Sequence, residues 1–453
     1  MSAQDRRLSA GTRLELTRVL GRELVRAATV PLQLMLFVLR RRTYVRRSAE
    51  VLAAQGGFDR AAADREARAA FRAVLGGRPL RHVYLACGEA SGERHALRIV
   101  EALRAASPGL RVSGMGGEAL AAAGVEVGDR IVDRAVMGLS GALRELPFFV
   151  GVVGRFIEGL RRERVDAVVL VDNPGLNLVL AERARAHGVP VLYFVCPQYW
   201  AWAPWRMRRF RRAVGGAIAI LPFEQPLFHA AGVPTAAAGH PLRAHRPPLA
   251  AEPREPSLLL LPGSRRAELD AHLEGMLRLF ARFRARRPEA RALLPQPDPT
   301  RLAGLERRVA ALAAHGVPTE GVTLVAEDAY ALAATCRAAL VKSGTSALQT
   351  GLARCPLVVV YRVRSRLAKA LGHLLLTVPW IAAPNLVLGR PAFRELLFSD
   401  DHGWDEALTA LDALWDPGPT RTASLEALDT LAIRLEGPAP EQVAADWLLD
   451  PGP

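Results

Sequence analysis

Lysine is almost missing from these 453 residues: Lys342 and Lys369 are the only two, and arginine supplies the rest of a basic set of 60. Against 45 acidic residues this leaves a formal charge of +15. Residues 1–80 hold 16 arginines against 7 Asp and Glu, whereas the remaining 373 residues carry only +6. A basic segment on a near-neutral body predicts an anionic surface as its partner. Net charge is the sole argument for nucleic acid, since no RNA- or DNA-reading motif occurs, so no nucleic-acid partner is expected.

Cysteine is scarce too. Cys87, Cys196, Cys336 and Cys355 are widely spaced, and no CxxC pair occurs. That argues against a structural zinc site and a disulfide framework, and for reduced thiols in a cytoplasmic protein. Long apolar runs are missing as well. The stretch AATVPLQLMLFVL, Ala27 to Leu39, has 13 residues, where a spanning helix needs roughly 20. Twenty-six residues precede it and Arg40–Arg42 follow it, which is not the form of a signal peptide. Just upstream, Arg18, Arg22 and Arg26 recur every fourth residue, with Leu16, Leu20 and Leu24 on roughly the opposite side of a helix. A helix lying in a membrane interface has this pattern, as does one docked on the protein's own body. We take the first reading, with residues 13–47 as the contact to an anionic membrane surface.

What is present in quantity is a rhythm. From Arg81 onward, short apolar runs end in Gly- or Pro-rich turns and lead into Ala/Arg/Leu-rich helical stretches, as in HVYLACGEASGERHALRIVEAL and VDAVVLVDNPGLNLVLAERARAHG. Near-continuous apolar strands alternating with helices predict a parallel, doubly wound α/β sheet. The pattern breaks at the Pro- and charge-rich His240–Ser257, then starts again with SLLLLPGSRRAEL and AALVKSGTSALQTGLA. Two tandem Rossmann-like domains are therefore expected, with a cleft between them and ligands at the carboxyl ends of the strands. The limits are 1–78 for a basic, partly amphipathic helical extension, 79–245 and 246–397 for the two domains, and 398–453 for a helical tail.

Four glycine turns stand out: Gly88-Glu89-Ala90-Ser91-Gly92, Gly114-Met115-Gly116-Gly117, Pro262-Gly263-Ser264-Arg265 and Ser343-Gly344-Thr345-Ser346. Small residues let a ligand approach the backbone, and N–H groups at a helix start favour phosphate. The last two, with Arg265 and Thr345-Ser346, form the better diphosphate cradle. Neither fits the P-loop, because Lys342 precedes its glycine and GxxxxGK[ST] is absent. Asp172 ends the run VVLVD, where a doubly wound sheet presents side chains to ligand. It is either a general base or the cap of the following turn. His240 in GHP either binds a ligand or stabilises a loop.

The stretch CPQYWAWAPWRMRRFRR, Cys196 to Arg212, holds three of the seven tryptophans and five arginines. Together with CGEASGE, GMGGEAL, VMGL, LPFE, GHPL, LLPGSR, SGTSAL, CPLVVVYR and PNLVLGR, it resembles the lipid-A-disaccharide synthase family from about Arg81 to Leu397. The resemblance implies a GT-B type, metal-independent, inverting glycosyltransferase with no cofactor. Its implied substrates are a UDP-linked acylated glucosamine and an acylated glucosamine 1-phosphate, and its implied location is cytoplasmic, peripherally on the inner membrane. It places Asp172 as base and Arg265 at departing UDP. It nominates Gly88, Glu89, Ser91, Gly92, Asn177, Trp202, His240, Gly263, Ser264, Gly344, Thr345, Ser346, Gln349, Asn385 and Arg390 for substrate. Trp200, Trp202 and Trp205 are read either as packing sugar or acyl chain, with Arg206–Arg212 toward phosphates or headgroups, or as core beside a solvated basic helix. Four carboxylates of the family pattern are replaced, by Gly141, Gly175, Arg243 and Gln349. These replacements leave open a relative with a different acceptor, or a non-catalytic UDP-sugar or glycolipid binder.

Overall fold

The structure, a computed structural model, describes residues 8–77, 79–132, 139–249, 254–363 and 365–449, with backbone alone at 139–144. The chain forms two compact units, Met1–Gly239 with Gly437–Pro453, and His240–Glu436.

The first unit is built on seven strands: β1 (His82–Cys87), β2 (Arg111–Gly116), β3 (Glu126–Arg130), β4 (Ala167–Val171), β5 (Val191–Phe194), β6 (Gly216–Ala219) and β7 (Thr235–Ala237). Their spatial order is β3-β2-β1-β4-β5-β6-β7, and every pairing is parallel. Central strands such as β4 are buried at every residue, which is why the sequence shows continuous apolar runs instead of alternation. The order reverses direction between β1 and β4, where Cys87 lies opposite Val171.

The second unit repeats the plan with β8 (Glu255–Leu261), β9 (Arg291–Pro295), β10 (Val322–Val325), β11 (Cys336–Lys342), β12 (Leu357–Arg362) and β13 (Glu395–Phe398). The order is β10-β9-β8-β11-β12-β13, all parallel, and the reversal falls between β8 and β11. Both sheets thus carry a topological switch point, the position at which open α/β sheets bind ligands beyond the carboxyl ends of their strands.

The unit limits differ from those read off composition, for reasons of packing. The N-terminal segment forms helices α1 (Ala10–Ala28), α2 (Val30–Ala54) and α3 (Arg60–Leu75), and α3 belongs to the first core. Its Phe71 is fully buried and stacks near Trp447, with ring centroids 5.6 Å apart. A Cβ on Gly216 would come within 2.9 Å of Phe71 and 2.8 Å of Trp447, so glycine lets both rings close onto β6. Asp64 of α3 accepts hydrogen bonds from Ala237 N at 3.0 Å and Gln225 Nε2 at 3.1 Å, which blunts edge strand β7. The C-terminal segment divides. Trp404 and Trp415 of the His402–Trp415 helix enter the second core, whereas the Pro440–Leu449 helix places Trp447 in the first. Gly239 and Gly437 meet where the chain passes between units: Gly239 N donates to Pro438 O at 2.8 Å, and a Cβ on Gly239 would sit 2.6 Å from Gly437 O.

α1 docks on the body by ion pairs. Ser9 donates to Glu158 through its N–H and its hydroxyl. Glu15 meets Arg161, Arg183 and His187, and Arg26 and Arg209 share Glu182 and Glu23. The outer side is apolar and open: Leu14, Leu24, Val25, Val30, Leu32, Met35, Val38 and Leu39 are all exposed. Among the described residues no helix is long and apolar enough to cross a membrane.

Candidate active site

At the first switch point the backbone is strained. Asp172 and Asn173, directly after β4, have φ of +48° and +44°, and Val195, directly after β5, has +65°. Left-handed geometry costs a non-glycine residue roughly 1–2 kcal/mol, and such strain gathers at ligand sites. The turn is held from beneath. Asn177 Nδ2 donates to Val171 O at 3.1 Å and to Asp172 O at 2.6 Å, and the Tyr193 hydroxyl donates to Asp172 O at 2.6 Å. Gly88, after β1, faces this turn so closely that a Cβ there would lie 1.8 Å from Asn173 Nδ2.

Three carboxyl groups gather here. Burial raises the Asp172 carboxyl above its usual range, and the charge of Glu89 raises it further. Glu89 is exposed and precedes the Ala90–Ala106 helix, whose first turn carries exposed Ser91 and buried Gly92. Glu224, the last residue of LPFE, is buried and accepts from Trp200 Nε1 at 3.1 Å and Leu221 N at 3.3 Å. Burial pushes its carboxyl up to about 8, and the charge of Asp172 adds to the rise. The YWAW segment therefore splits. Trp200 is a buried partner of Glu224, and Trp202 is 46 % exposed beneath Arg206, whose guanidinium carbon sits 6.0 Å from the ring centroid. Trp205 packs on Phe37 of α2 with centroids 5.1 Å apart. Arg209 is spent on Glu182 and Glu23, so the basic stretch is not uniformly turned to solvent or ligand.

At the second switch point Val341 pairs with Leu261, which sets the Gly263–Arg265 turn beside Ser343–Ser346. Glu268 fills the first of these turns. Its carboxylate accepts from Ser264 N at 3.0 Å, Arg265 N at 3.2 Å and Lys342 Nζ at 2.9 Å. Burial alone would raise its carboxyl, but these bonds, Lys342's first, hold it below the usual range. Gly263 has φ +109°, and a Cβ would lie 2.5 Å from Glu268 Oε2. This glycine thus makes room for Glu268, and the N–H groups expected to cradle phosphate here are already satisfied. The second turn differs. Gly344 and Thr345 are exposed, Ser346 and Gln349 are half-buried, and the Thr345–Leu352 helix starts without a side-chain cap. Lys342 lies 5.3 Å from the Tyr361 ring centroid, and the Arg265 and Ser264 side chains stand exposed beside it in the fold.

Several expected substrate contacts need correction. Asn177 is 1 % exposed, with its amide donating to the turn backbone, and so positions Asp172 instead of meeting ligand. Asn385 is 0 % exposed: its Nδ2 donates to Phe393 O and Glu395 Oε2, and its Oδ1 accepts from Phe393 N. His240 is buried and accepts from Leu242 N at 3.2 Å, the loop-stabilising alternative. The Gly114–Gly117 turn is closed by Glu93, which accepts from Gly117 N and Leu120 N. Arg390, after Gly389 at φ +67°, is exposed, and its segment approaches the Ser343 turn through a Ser343 Oγ to Ile381 O bond of 3.0 Å.

The replaced carboxylates have different surroundings. Gly175 faces open space, its hypothetical Cβ nearest to Asn173 Oδ1 at 3.8 Å. Arg243 pairs with Glu436 at 2.8 Å and donates to Ala432 O. The side chains around Gly141, and the Met137-Gly138 motif before it, lie outside the described residues. Glu224 and Glu268 were not foreseen. The signal for the second was its place three residues after Arg265, the spacing of a capping box. The four cysteines are free and buried, and among the described residues no three His, Cys, Asp or Glu side chains form a metal-binding group.

Two parallel-sheet units, each gathering polar residues at its switch point, define a hexosyltransferase of the GT-B type. The sequence model of the family described as Lipid-A-disaccharide synthetase matches residues 83–414, and the chain belongs to this family. It is 35% identical over 380 residues to the lipid-A-disaccharide synthase of Myxococcus xanthus (strain DK1622), covering 81% of this chain and 97% of that one. The corresponding enzyme of Anaeromyxobacter dehalogenans (strain 2CP-1 / ATCC BAA-258) is 35% identical over 376 residues, with 81% and 96% covered. Among solved structures, one described as a UDP-N-acetylglucosamine 2-epimerase of Listeria monocytogenes superposes with a TM-score of 0.50 at 11% identity. It covers 82% of this chain and 94% of that chain, a likeness of fold.

Proposed function

We propose that the chain joins UDP-2,3-diacylglucosamine to 2,3-diacylglucosamine 1-phosphate, giving a β-1,6-linked disaccharide 1-phosphate and UDP with inversion. The observation that carries this reading is Asp172: a carboxylate on a strained turn at the first switch point, flanked by exposed Glu89 and Ser91. In this mechanism Asp172 takes the proton of the acceptor 6-hydroxyl as that oxygen attacks C1 of the α-linked donor. The bond from C1 to the diphosphate oxygen breaks, and its electron pair leaves with UDP. Arg265, Lys342 and the open helix start at Thr345–Ser346 neutralise that charge. Gln349 takes the ribose contact as a neutral amide. Trp202 offers an exposed ring to sugar or acyl chain.

The test is turnover. Purified protein is mixed with both substrates in detergent, and the product is sought by mass spectrometry. Disaccharide 1-phosphate formed one-for-one with UDP supports the reading. A second reading, transfer to a different acceptor, draws on the open space at Gly175 and on Arg243 at an expected aspartate. UDP binding with no product from this acceptor, and product from another glycolipid, would favour it.

Acylated substrates reside in membranes, and we assign the attachment to residues 13–47, peripherally on the cytoplasmic side. Exposed Leu24, Leu32, Met35 and Leu39 beside exposed Arg40 and Arg42 support an in-plane, anionic-lipid contact. Sedimentation with anionic vesicles should fall as salt rises.

A further inference from the structure

The cavity between α1 and the body has no part in the transfer described above. It measures about 360 Å³ and is lined by Arg18, Arg22, Arg161 and Arg183 together with Glu15 and His187. Glu15 is the sole carboxylate among the lining residues, and three basic groups share it: Arg161 at 2.8 Å, His187 at 3.1 Å and Arg183 at 3.5 Å. Burial alone would raise the Glu15 carboxyl, but the bonds from Arg161 and His187 hold it below its usual range, so it stays charged and fully engaged. That leaves a surplus of guanidinium charge. Arg18 and Arg22 stand exposed on the rim. Arg183 is 8 % exposed, and its Nε is buried with no hydrogen-bond partner. A buried donor without an acceptor is costly unless a ligand supplies one. Gly11 belongs to the same construction: a Cβ there would meet Arg161 Nη1 at 3.0 Å, so the glycine lets that guanidinium lie against α1.

The apolar neighbourhood narrows the ligand. Exposed Leu14 lines the cavity, and Arg18 and Arg22 also line a shallower depression with Gly21, Val25 and Arg26. Guanidiniums beside exposed aliphatic side chains suit a phosphate that carries an acyl chain.

We propose that this cavity is a headgroup site for an anionic phospholipid, with its phosphate held by Arg18, Arg22 and Arg183 and its glycerol and chains passing over Leu14 and Val25. The site fixes the orientation of the membrane-facing helices, and so rests on the reading of residues 13–47 as a membrane contact.

The test uses full-length protein and dihexanoyl phosphatidylglycerol below its micellar concentration, followed by calorimetric titration. Inorganic phosphate is titrated in parallel, and sedimentation with phosphatidylglycerol-containing vesicles forms a third arm. The pair Arg18→Ala and Arg22→Ala should weaken the short-chain lipid at least about 10-fold. The pair Arg40→Ala and Arg42→Ala, an equal charge change outside the cavity, should leave it unchanged. Equal losses in both pairs, or no binding by wild type, would overturn the site. Phosphate binding as tightly as the lipid would overturn the headgroup assignment in favour of a free anion. Short-chain lipid binding without vesicle sedimentation would keep the cavity site and remove the membrane reading beneath it. Thermal melts, with Arg18→Gln and Arg22→Gln as a second pair, separate lost binding from lost folding.

Discussion

Asp172→Asn removes a proton acceptor and little else. The residue's left-handed φ of +48° is one that asparagine tolerates well. The bonds that hold the turn, from Asn177 and Tyr193, end on the backbone carbonyl of residue 172 and do not involve its carboxylate. The fold and the turn should therefore persist, with a melting temperature near that of wild type. What disappears is general-base assistance, worth roughly 10²–10⁴-fold, or about 2.7–5.4 kcal/mol of barrier at about 1.36 kcal/mol per decade. The loss should fall on kcat, read as disaccharide formation in a coupled UDP-release assay. UDP affinity, which in this account depends on the second unit, should change less than about twofold. A variant that retains near-normal kcat would refute the reasoning and return Asp172 to the role of a turn residue.

Other outcomes follow from the same geometry. Glu89→Gln withdraws the charge that helps raise Asp172, so the acid limb of the kcat/KM profile should move to lower pH; an unmoved limb would separate the two groups. Glu224 holds its proton up to about pH 8 in the fold, against an ordinary value of 4.5. The native state then binds more protons than the unfolded one between those values, and wild-type stability falls as pH rises through them. Glu224→Gln should remove that slope, which thermal melts from pH 5 to 8 would show. Glu268→Ala deletes the acceptor of two backbone N–H groups, a cap-like loss of about 1 kcal/mol, measurable by urea denaturation. Glu158 is held down to about 2: burial opposes this, but hydrogen bonds from Thr12, Ser9 and Arg162 outweigh it. Its contribution to seating α1 is present above pH 4.5 and is lost as pH falls toward 2, detectable as faster amide exchange at the start of α1.

The strands were legible because parallel strands buried on both faces must be apolar throughout, as VVLV before Asp172 is. The switch-point turns were legible for a related reason: where strand meets helix at close quarters, Gly88 and Gly263 leave room that no side chain could. The partners filling those turns were not legible. Glu224 and Trp200 lie 24 residues apart and meet only through the sheet, and nothing in LLPGSRRAEL says that Glu268 turns back onto its own N–H groups. Asn177 and Asn385 were misplaced because an amide that binds backbone and one that binds sugar are the same letter. α3 reads as part of a basic extension, since its arginines outnumber its apolar anchors, yet Phe71 carries it into the core.

The most direct measurement follows wild-type protein by proton NMR with α-linked UDP-2,3-diacylglucosamine and 2,3-diacylglucosamine 1-phosphate. The account predicts one UDP per disaccharide and a β-configured H1 at the new linkage. An α-configured linkage, or UDP release with no bond between the sugars, would contradict it.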